Sequence, residues 1–226
     1  MRPFSKIAEN IFSIGLPQPS CNAYLVTGGS AANALVIDPG LGGKEIWEAA
    51  LAAHGLSFDD VSLVLLSHSH YDHAYNARLF PNATIAASRS AIEKLEQNSP
   101  KTFFELSGLK YSDSGKHRIL KDGEKIALGG LRLDCISTPG HCNCAMCFFG
   151  ENSGVLFSGD TIFPGGSLPR VFDSTQHLLS LSYKKIARLA EGFEKKGAPI
   201  KLLAPGHGDA GDFKKEFEAA KAALFG

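Results

Sequence analysis

Short apolar runs alternate with polar turns and amphipathic segments along the first half of the chain. Brief apolar runs bounded by turn residues predict strands, and apolar residues spaced three or four apart predict helices. The predicted strands are Ile11 to Gly15, Ala23 to Thr27, Ala34 to Ile37, Val61 to Ser67 and Thr84 to Ala87. The predicted helices are Lys44 to His54, Ala74 to Phe80 and Ser88 to Gln97.

The second half repeats this alternation without an evident linker. Its predicted strands are a hairpin from Arg118 to Asp134, then Ala145 to Phe149, Gly154 to Ser158 and Ile200 to Ala204. Its predicted helices are Leu178 to Lys195 and Asp212 to Leu224. Strands in both halves with helices outside them predict an α/β (α+β) fold in which two sheets face each other. A chain of 226 residues with 44% hydrophobic content is expected to form a single domain, residues 1–226.

The stretch Asn98 to Lys116 is the least regular part of the chain, since Pro100, Gly108 and Gly115 interrupt its large apolar residues. A polar surface loop rarely carries so many apolar side chains. The stretch is therefore either a loop that folds over a functional site or a local packing or dimer contact, and both interpretations stay open.

The turn after the fourth predicted strand carries the most specific chemistry, because residues 68–73 read His-Ser-His-Tyr-Asp-His. In an extended chain alternate side chains point to one side, so His68, His70 and Asp72 can converge while His73 turns away. Imidazole nitrogens and carboxylate oxygens are ligands of zinc-like cations. The run therefore predicts a metal site, and the alternative is a polar surface loop.

Three further candidate ligands follow apolar, strand-like runs later in the chain: His141, Asp160 and His207. His141 and His207 each come directly after a Pro-Gly pair, as expected for turns at strand ends. The other three of the eight histidines are interpreted as surface or packing residues: His54, His117 and His177.

These residues resemble the ordered ligand set of the metallo-β-lactamase superfamily, which reads HxHxDH, then His, then Asp, then His. All seven positions match, and Val36 to Gly40 is similar to the family's early strand-end aspartate motif. The resemblance implies a four-layer αββα sandwich. It also implies two divalent metal ions, with zinc expected first and iron or manganese as alternatives.

The resemblance also implies a role for each residue. One ion would be held by three imidazoles: His68, His70 and His141. A second ion would be held by mixed ligands: Asp72, His73 and His207. Asp160 would bridge both ions. Asp38 would hold the metal-binding loop through hydrogen bonds, and the alternative for Asp38 is a turn or helix-capping role.

Two ions in one open site would support hydrolysis. Ions about 3.5 to 4 Å apart share a water and lower its pKa to about 7, so a bridging hydroxide is the expected nucleophile. The carboxylates at this hydroxide, Asp72 and Asp160, are the expected catalytic residues. The charge of the ions exceeds that of two carboxylates and one hydroxide by about one positive unit, which favours an anionic substrate.

The stretch Gly159 to Ser167, followed by Arg170, is similar to the corresponding part of glyoxalase II and related thioesterases. This implies a small thioester, ester or lactone as substrate. Arg170 would bind a substrate carboxylate or, alternatively, pair with an acid in the fold. Only a helix is predicted after His207, where glyoxalase II has an additional helical domain, which argues against glutathione thioesters specifically.

Other branches of the superfamily remain alternatives. A persulfide dioxygenase would use one iron bound by His68, His141 and Asp160, and a phosphodiesterase, a nuclease or a non-catalytic metal-binding protein is a further alternative. A true β-lactamase is disfavoured because those enzymes generally lack a bridging aspartate at the position of Asp160 and are exported. The flavodiiron branch is disfavoured because it carries an acidic residue at the position of His70.

Charge and composition limit the partners. Lys plus Arg equals Asp plus Glu at 23 each, so the chain has no basic footprint for nucleic acid or an anionic membrane. The N-terminus has no apolar signal segment, and no run approaches the ~20 apolar residues of a membrane span. We therefore expect a cytoplasmic protein that acts on a small molecule, with an oligomeric state that the sequence does not indicate.

Five cysteines in a chain without an export signal indicate reduced thiols. Three of them follow His141 closely, at Cys142, Cys144 and Cys147. In an extended chain Cys142 and Cys144 would share one side and Cys147 would take the other, which argues against one ion bound by all three. The cluster has either a thiol redox or metal-trafficking role, or the packing role of small buried side chains.

Overall fold

The computed structural model describes residues 4–28, 34–128, 130–168, 171 and 173–226. Within these ranges the strands form two sheets. In spatial order, the first sheet contains β1 (Phe4–Ala8), β2 (Ile11–Ile14), β3 (Ala23–Val26), β4 (Ala34–Ile37), β5 (Val61–Leu65), β6 (Thr84–Ser88) and β7 (His117–Leu120). In spatial order, the second contains β13 (Gly211–Asp212), β12 (Leu202–Pro205), β11 (Val155–Gly159), β10 (Met146–Gly150), β9 (Leu131–Ser137) and β8 (Lys125–Leu128).

The helices connect these strands and cover the sheets. They are α1 (Lys44–Ala52), α2 (Tyr71–Ala74), α3 (Arg89–Glu96), α4 (Gln176–Lys195) and α5 (Phe213–Phe225). Short 3-10 turns lie at Phe58–Asp60, Tyr75–Leu79, Pro100–Thr102 and Pro164–Gly166. None of the helices in the described ranges has both the length and the apolar composition that crossing a membrane requires.

Three apolar clusters separate four layers. Leu35 of the first sheet and Phe148 of the second belong to the cluster between the sheets. Trp47 of α1 belongs to the cluster on the outer face of the first sheet. Ile186 of α4 and Phe217 of α5 belong to the cluster on the outer face of the second sheet. Apolar residues on both faces of each sheet thus produce the order helices, sheet, sheet, helices, and the predicted two-sheet α/β fold is confirmed.

Two predicted elements are wrong in part. The predicted hairpin from Arg118 to Asp134 begins too early, because β7 pairs in parallel with β6 in the first sheet and only β8 and β9 form a hairpin in the second. The intervening turn carries the chain from one sheet to the other instead of reversing it. The predicted helix over residues 74–80 is instead α2 followed by a 3-10 turn, so the helical segment begins at Tyr71, inside the histidine-rich run.

The candidate ligands lie at one edge of the sandwich because each follows the end of a strand. Asp38 follows β4 and His68 follows β5, and these two strands run parallel. Asp160 follows β11 and His207 follows β12, which are also parallel. Parallel strands place their carboxyl ends at the same edge of a sheet, which is where ligand sites form in α/β proteins. The assignment of residues 1–226 to one domain stays a prediction.

Candidate metal centre

The histidine-rich run folds into the interior of the protein. His68, His70 and His73 are all buried, and His70 immediately precedes α2. Asp72 and His73 lie on α2, so the helical turn rotates them away from the strand direction. The simple alternation expected for an extended chain therefore holds only at the start of the run.

Three imidazoles form the first group of candidate ligands. One ring nitrogen from each of His68, His70 and His141 lies within 4.8 Å of the others. Nε2 of His141 and Nδ1 of His70 are 3.1 Å apart. This is the set that the resemblance implied for one ion.

The second group combines one carboxylate with two imidazoles. Oδ2 of Asp72 lies 3.2 Å from Nε2 of His207 and 3.8 Å from Nε2 of His73. The three ligand atoms again lie within 4.8 Å of one another. This set matches the one implied for the second ion.

Asp160 lies between the two groups. Its Oδ2 is 3.4 Å from Nε2 of His141 and 3.8 Å from Nε2 of His207, while its Oδ1 is 3.3 Å from Nε2 of His73. Asp160 also belongs to a third group of convergent ligand atoms, with His68 and His73. One carboxylate thus contacts imidazoles from both predicted sites.

The distances and the hydrogen-bond state of these atoms fit divalent cations. Tetrahedral bonds of about 2.0 to 2.1 Å place ligand atoms roughly 3.3 Å apart, close to the separations of 3.1 to 3.8 Å found here. Within the described part of the chain, Nε2 of His68 is buried without a hydrogen-bond partner, and Nε2 of His73 and Oδ1 of Asp160 have only their mutual contact of 3.3 Å within hydrogen-bonding distance. Because buried polar atoms normally have partners, this arrangement favours a cation at their convergence.

The electrostatics keep the imidazoles of His68 and His70 neutral and the carboxylate of Asp160 ionised. Burial and the neighbouring histidines hold the pKa of His68 well below its usual range and lower that of His70 to about 3. Burial opposes ionisation of Asp160, but His73 and two further histidines outweigh it and keep the pKa of Asp160 low. Neutral imidazole and ionised carboxylate are the forms that bind a metal.

His73 has an acidic environment. Burial acts to lower its pKa, but the negative charges of Asp160, Asp38 and Asp72 raise it well above the usual value. A site that holds a proton on His73 in this way also attracts a divalent cation, which compensates the same negative charge.

Asp38 orients two parts of the centre. Its Oδ2 lies 3.0 Å from Nδ1 of His73, and its Oδ1 accepts a hydrogen bond of 2.7 Å from the backbone N–H of Ser67. The bond to Nδ1 leaves Nε2 of His73 free to face Asp160. The residue that caps α1 is Gly43, so Asp38 does not cap that helix.

Sequence reasoning missed several residues that support the ligands. Ser67 Oγ lies 3.0 Å from Nδ1 of His68 and so orients that ring. Asn22 donates from Nδ2 to the carbonyl oxygens of Pro205, at 3.0 Å, and Gly208, at 2.6 Å, which fixes the turn that carries His207. The proximity of Ser67 to the run was a usable signal, whereas nothing in the sequence links Asn22 to a turn 186 residues away.

Gly206 brings this turn close to the other ligands. A Cβ atom at this position would collide with Asp160 and lie 2.8 Å from Cε1 of His73. Position 206 therefore requires glycine, because the backbone there lies so close to Asp160 and His73 that no side chain would fit.

Aromatic rings flank the centre on two sides. The ring of Phe103 lies 4.7 Å from that of His70, and the ring of Phe163 lies 5.9 Å from that of His207. In the same irregular stretch Phe104 packs on Tyr111, so that stretch contributes both a wall of the site and a local packing cluster. Arg170 lies outside the described residues.

The remaining histidines lie outside the three ligand groups. His54 packs on Phe12, with ring centroids 4.2 Å apart. His117 pairs with Glu96 and Asp113, and His177 is exposed on α4. These positions agree with the surface or packing roles expected from the sequence.

The family model of the Metallo-beta-lactamase superfamily matches residues 16–221, and the chain belongs to this superfamily. The fold and the arrangement of the candidate ligands thus agree with the class that the ligand order implied. The matching family model describes the superfamily as a whole and does not single out the glyoxalase II-like branch.

Solved structures show the same fold. BLEG-1 B3 metallo-beta-lactamase has a TM-score of 0.75 at 22% identity, over 96% of this chain and 100% of that one. The metallo-beta-lactamase family protein TTHA1429 from Thermus thermophilus has a TM-score of 0.72 at 22% identity, over 96% and 80% of the two chains. TTHA1623, solved in a di-iron-bound form, has a TM-score of 0.71 at 25% identity, over 91% and 96%.

Proposed function

We propose that the chain is a hydrolase that uses two divalent metal ions. The first ion is held by His68, His70 and His141. The second ion is held by Asp72, His73 and His207. Membership of a superfamily of mostly hydrolytic metalloenzymes and the convergence of all seven side chains support this proposal.

One observation carries the proposal: the carboxylate of Asp160 is shared. Its two oxygens lie 3.3 Å from His73, 3.4 Å from His141 and 3.8 Å from His207, so it contacts both ligand groups. In the proposal the carboxylate of Asp160 would hold both ions, and its negative charge would reduce the repulsion between them. A single ion bound by His68, His141 and Asp160 would leave the second group of convergent side chains, Asp72, His73 and His207, without a cation.

When bound by these residues, two divalent ions would supply a water activated near neutral pH and a positive charge that polarises a carbonyl group. Asp72 and Asp160 remain ionised beside that position, and they offset only part of the charge of the ions. The remaining positive charge would favour an anionic substrate and negative charge on its carbonyl oxygen. No serine or cysteine nucleophile takes part.

A small thioester, ester or lactone is the proposed substrate class, as in glyoxalase II. The similarity of residues 159–167 to that enzyme supports this class. Phe103 and Phe163, which flank His70 and His207, would contact the apolar part of such a substrate. Arg170 is proposed to bind a substrate carboxylate.

Zinc is the proposed metal, and the di-iron form of TTHA1623 supports iron as the alternative. A cytoplasmic location is also part of the proposal, supported by the five cysteines, which are all free. The proposed substrate is a small molecule, since the equal numbers of acidic and basic residues provide no footprint for nucleic acid.

The test is metal analysis of protein purified without added metal, followed by rates on thioesters, lactones, phosphodiesters and a persulfide. About two ions per chain with chelator-sensitive thioester or lactone hydrolysis supports the proposal. One iron per chain with persulfide oxidation would identify a dioxygenase instead. Two bound ions without turnover of any of these substrates would indicate a metal-binding protein.

A further inference from the structure

Two buried thiols lie in contact next to the metal centre. Cys142 and Cys144 are 1% and 2% exposed, and their sulfur atoms are 3.4 Å apart. The turn at residues 140–144 brings them together, with the N–H of Gly140 donating to the carbonyl oxygen of Cys142. A disulfide requires a sulfur separation of about 2.05 Å, so the pair needs a contraction of only about 1.4 Å.

The surroundings of Cys144 favour its thiolate. Nζ of Lys94 lies 3.7 Å from Sγ of Cys144, and Oγ of Ser69 lies 3.4 Å from it. Lys94 is 8% exposed, so its charge acts across little water. The hydrogen bond from Cys142 and the charge of Lys94 outweigh burial and hold the pKa of Cys144 below its usual value. Thiolates react with peroxides where thiols do not.

Cys147 provides the contrast. Its sulfur lies 3.4 Å from Oγ1 of Thr138 and donates to the carbonyl oxygen of Ser158 at 3.5 Å, away from the other two thiols. Burial raises the pKa of Cys147 to about 11. The three cysteines therefore form two groups: Cys142 and Cys144 contact each other, and Cys147 packs separately against Thr138 and Ser158. The sequence predicted this separation of Cys147 from the other two.

We propose that Cys142 and Cys144 are a redox modification site that forms a reversible disulfide when a hydroperoxide oxidises the protein. The thiolate of Cys144 attacks a peroxide oxygen, so an S–O bond forms, the O–O bond breaks and water or an alcohol leaves after protonation. The sulfur of Cys142 then attacks Cys144, the S–S bond replaces the S–O bond, and water leaves with the Cys142 proton. Two thiols are oxidised and one peroxide is reduced.

The disulfide acts on the metal centre through the backbone. Cys142 directly follows His141, whose carbonyl oxygen also accepts a hydrogen bond from Ser174. Contraction of the sulfur pair displaces the segment that carries His141, and a ligand displaced by about 1 Å binds metal more weakly. Disulfide formation is independent of the proposed hydrolysis, whereas this coupling rests on the proposed ligand set.

The metal-loaded protein is treated with hydrogen peroxide, and thiols are counted under denaturing conditions. We expect loss of two of the five thiols, a Cys142–Cys144 cross-link in the peptide map, and full reversal by dithiothreitol. Cys142→Ser should stop at a sulfenic acid on Cys144, which a dimedone-type probe labels. Cys147→Ser is the matched control and should form the disulfide like the wild type.

A second readout measures coupling. After dialysis, the oxidised wild type should retain about one ion fewer per chain than the reduced protein, and Cys144→Ser should show no such difference. Five intact thiols after peroxide treatment, or a disulfide that involves Cys147 or another cysteine, would overturn the site. A Cys142–Cys144 disulfide with unchanged metal retention would overturn its coupling to His141.

Discussion

Asp38 and His73 form a buried pair in which Oδ2 lies 3.0 Å from Nδ1, and this contact determines which nitrogen of His73 faces the centre. The second oxygen of Asp38, Oδ1, accepts a hydrogen bond of 2.7 Å from the backbone N–H of Ser67. One carboxylate therefore fixes both the orientation of an imidazole and the start of the histidine-rich run. Such contacts make a ligand set rigid before a cation arrives.

Asp38→Asn should weaken metal binding at the site that contains His73. The amide can still accept from Ser67, but it lacks the charge that favours a proton on Nδ1 of His73, so metal affinity should fall about 10- to 100-fold. Competition with a chromogenic chelator measures the affinity of each ion. Unchanged affinity of both ions would show that the Asp38–His73 contact does not orient a ligand.

His68→Ala and His207→Ala should each lose about one ion per chain, because the two residues belong to different ligand groups. Metal content is measured after gel filtration, with circular dichroism to establish that each variant is folded. His177→Ala, an exposed position on α4, is the matched control. If both variants were folded and still bound as many metal ions as the wild type, the ligand assignment would be refuted.

The sequence predicted the candidate ligands best where they lie close together in the chain or directly after a predicted strand. The run at residues 68–73 contains four candidate ligands within six positions. The turns that contain His141, Asp160 and His207 each follow an apolar run that predicts a strand. Their convergence follows from strand direction, because parallel strands end at a common edge. For these reasons the fold and the centre could be anticipated together.

Contacts between distant segments could not be anticipated. Asn22 donates a hydrogen bond to the carbonyl oxygen of Gly208, and Lys94 forms an ion pair with Asp173. No sequence pattern links the two members of either pair. The four residues of β7 read His-Arg-Ile-Leu and do not indicate which sheet they join, whereas in the structure they pair with β6. Phe103 adopts a left-handed backbone conformation, φ 61°, which non-glycine residues rarely take and which propensities do not indicate.

Asp173 links the wall of the site to the segment beside His141. It binds Nζ of Lys101 at 2.6 Å and of Lys94 at 3.3 Å, and the next residue, Ser174, donates to the carbonyl oxygen of His141. Asp173→Asn should release the turn before Phe103, because the two lysines lose their counter-charge.

Limited proteolysis tests this link. We expect cleavage within residues 98–116 of Asp173→Asn to be roughly two- to tenfold faster than in the wild type. Asp122→Asn, which breaks the ion pair with Lys185, is the matched control and should leave this cleavage rate unchanged. Equal rates in the wild type and Asp173→Asn would mean that other contacts hold the stretch.

His117 should make stability depend on pH. Its nitrogens lie 2.8 Å from both Asp113 and Glu96; burial acts to lower its pKa, but these carboxylates outweigh burial and raise it. A raised folded pKa stabilises the protein below the unfolded value of about 6.5, and this contribution disappears as pH rises through the folded pKa. The pKa of Asp113 is lowered, so its contribution is lost only on the acid side.

Urea unfolding at about pH 6 and about pH 9 measures this effect in wild type and His117→Gln. The stability advantage of the wild type should be present at the lower pH and shrink at the higher one. His177→Gln removes an imidazole outside this cluster and should show no comparable change. An advantage of His117 that grows with pH would contradict the assigned direction.

Asp160→Asn should cost more metal and more activity than Asp38→Asn, because Asp160 contacts both ligand groups whereas Asp38 contacts one histidine. The substitution removes a negative charge between two proposed cations and so weakens both sites at once. Metal content and hydrolysis rates are compared for both variants at matched metal concentration. Loss of only one ion from Asp160→Asn would show that the carboxylate binds a single site. If Asp160→Asn kept both ions and the wild-type rate, Asp160 would neither bridge the ions nor take part in catalysis.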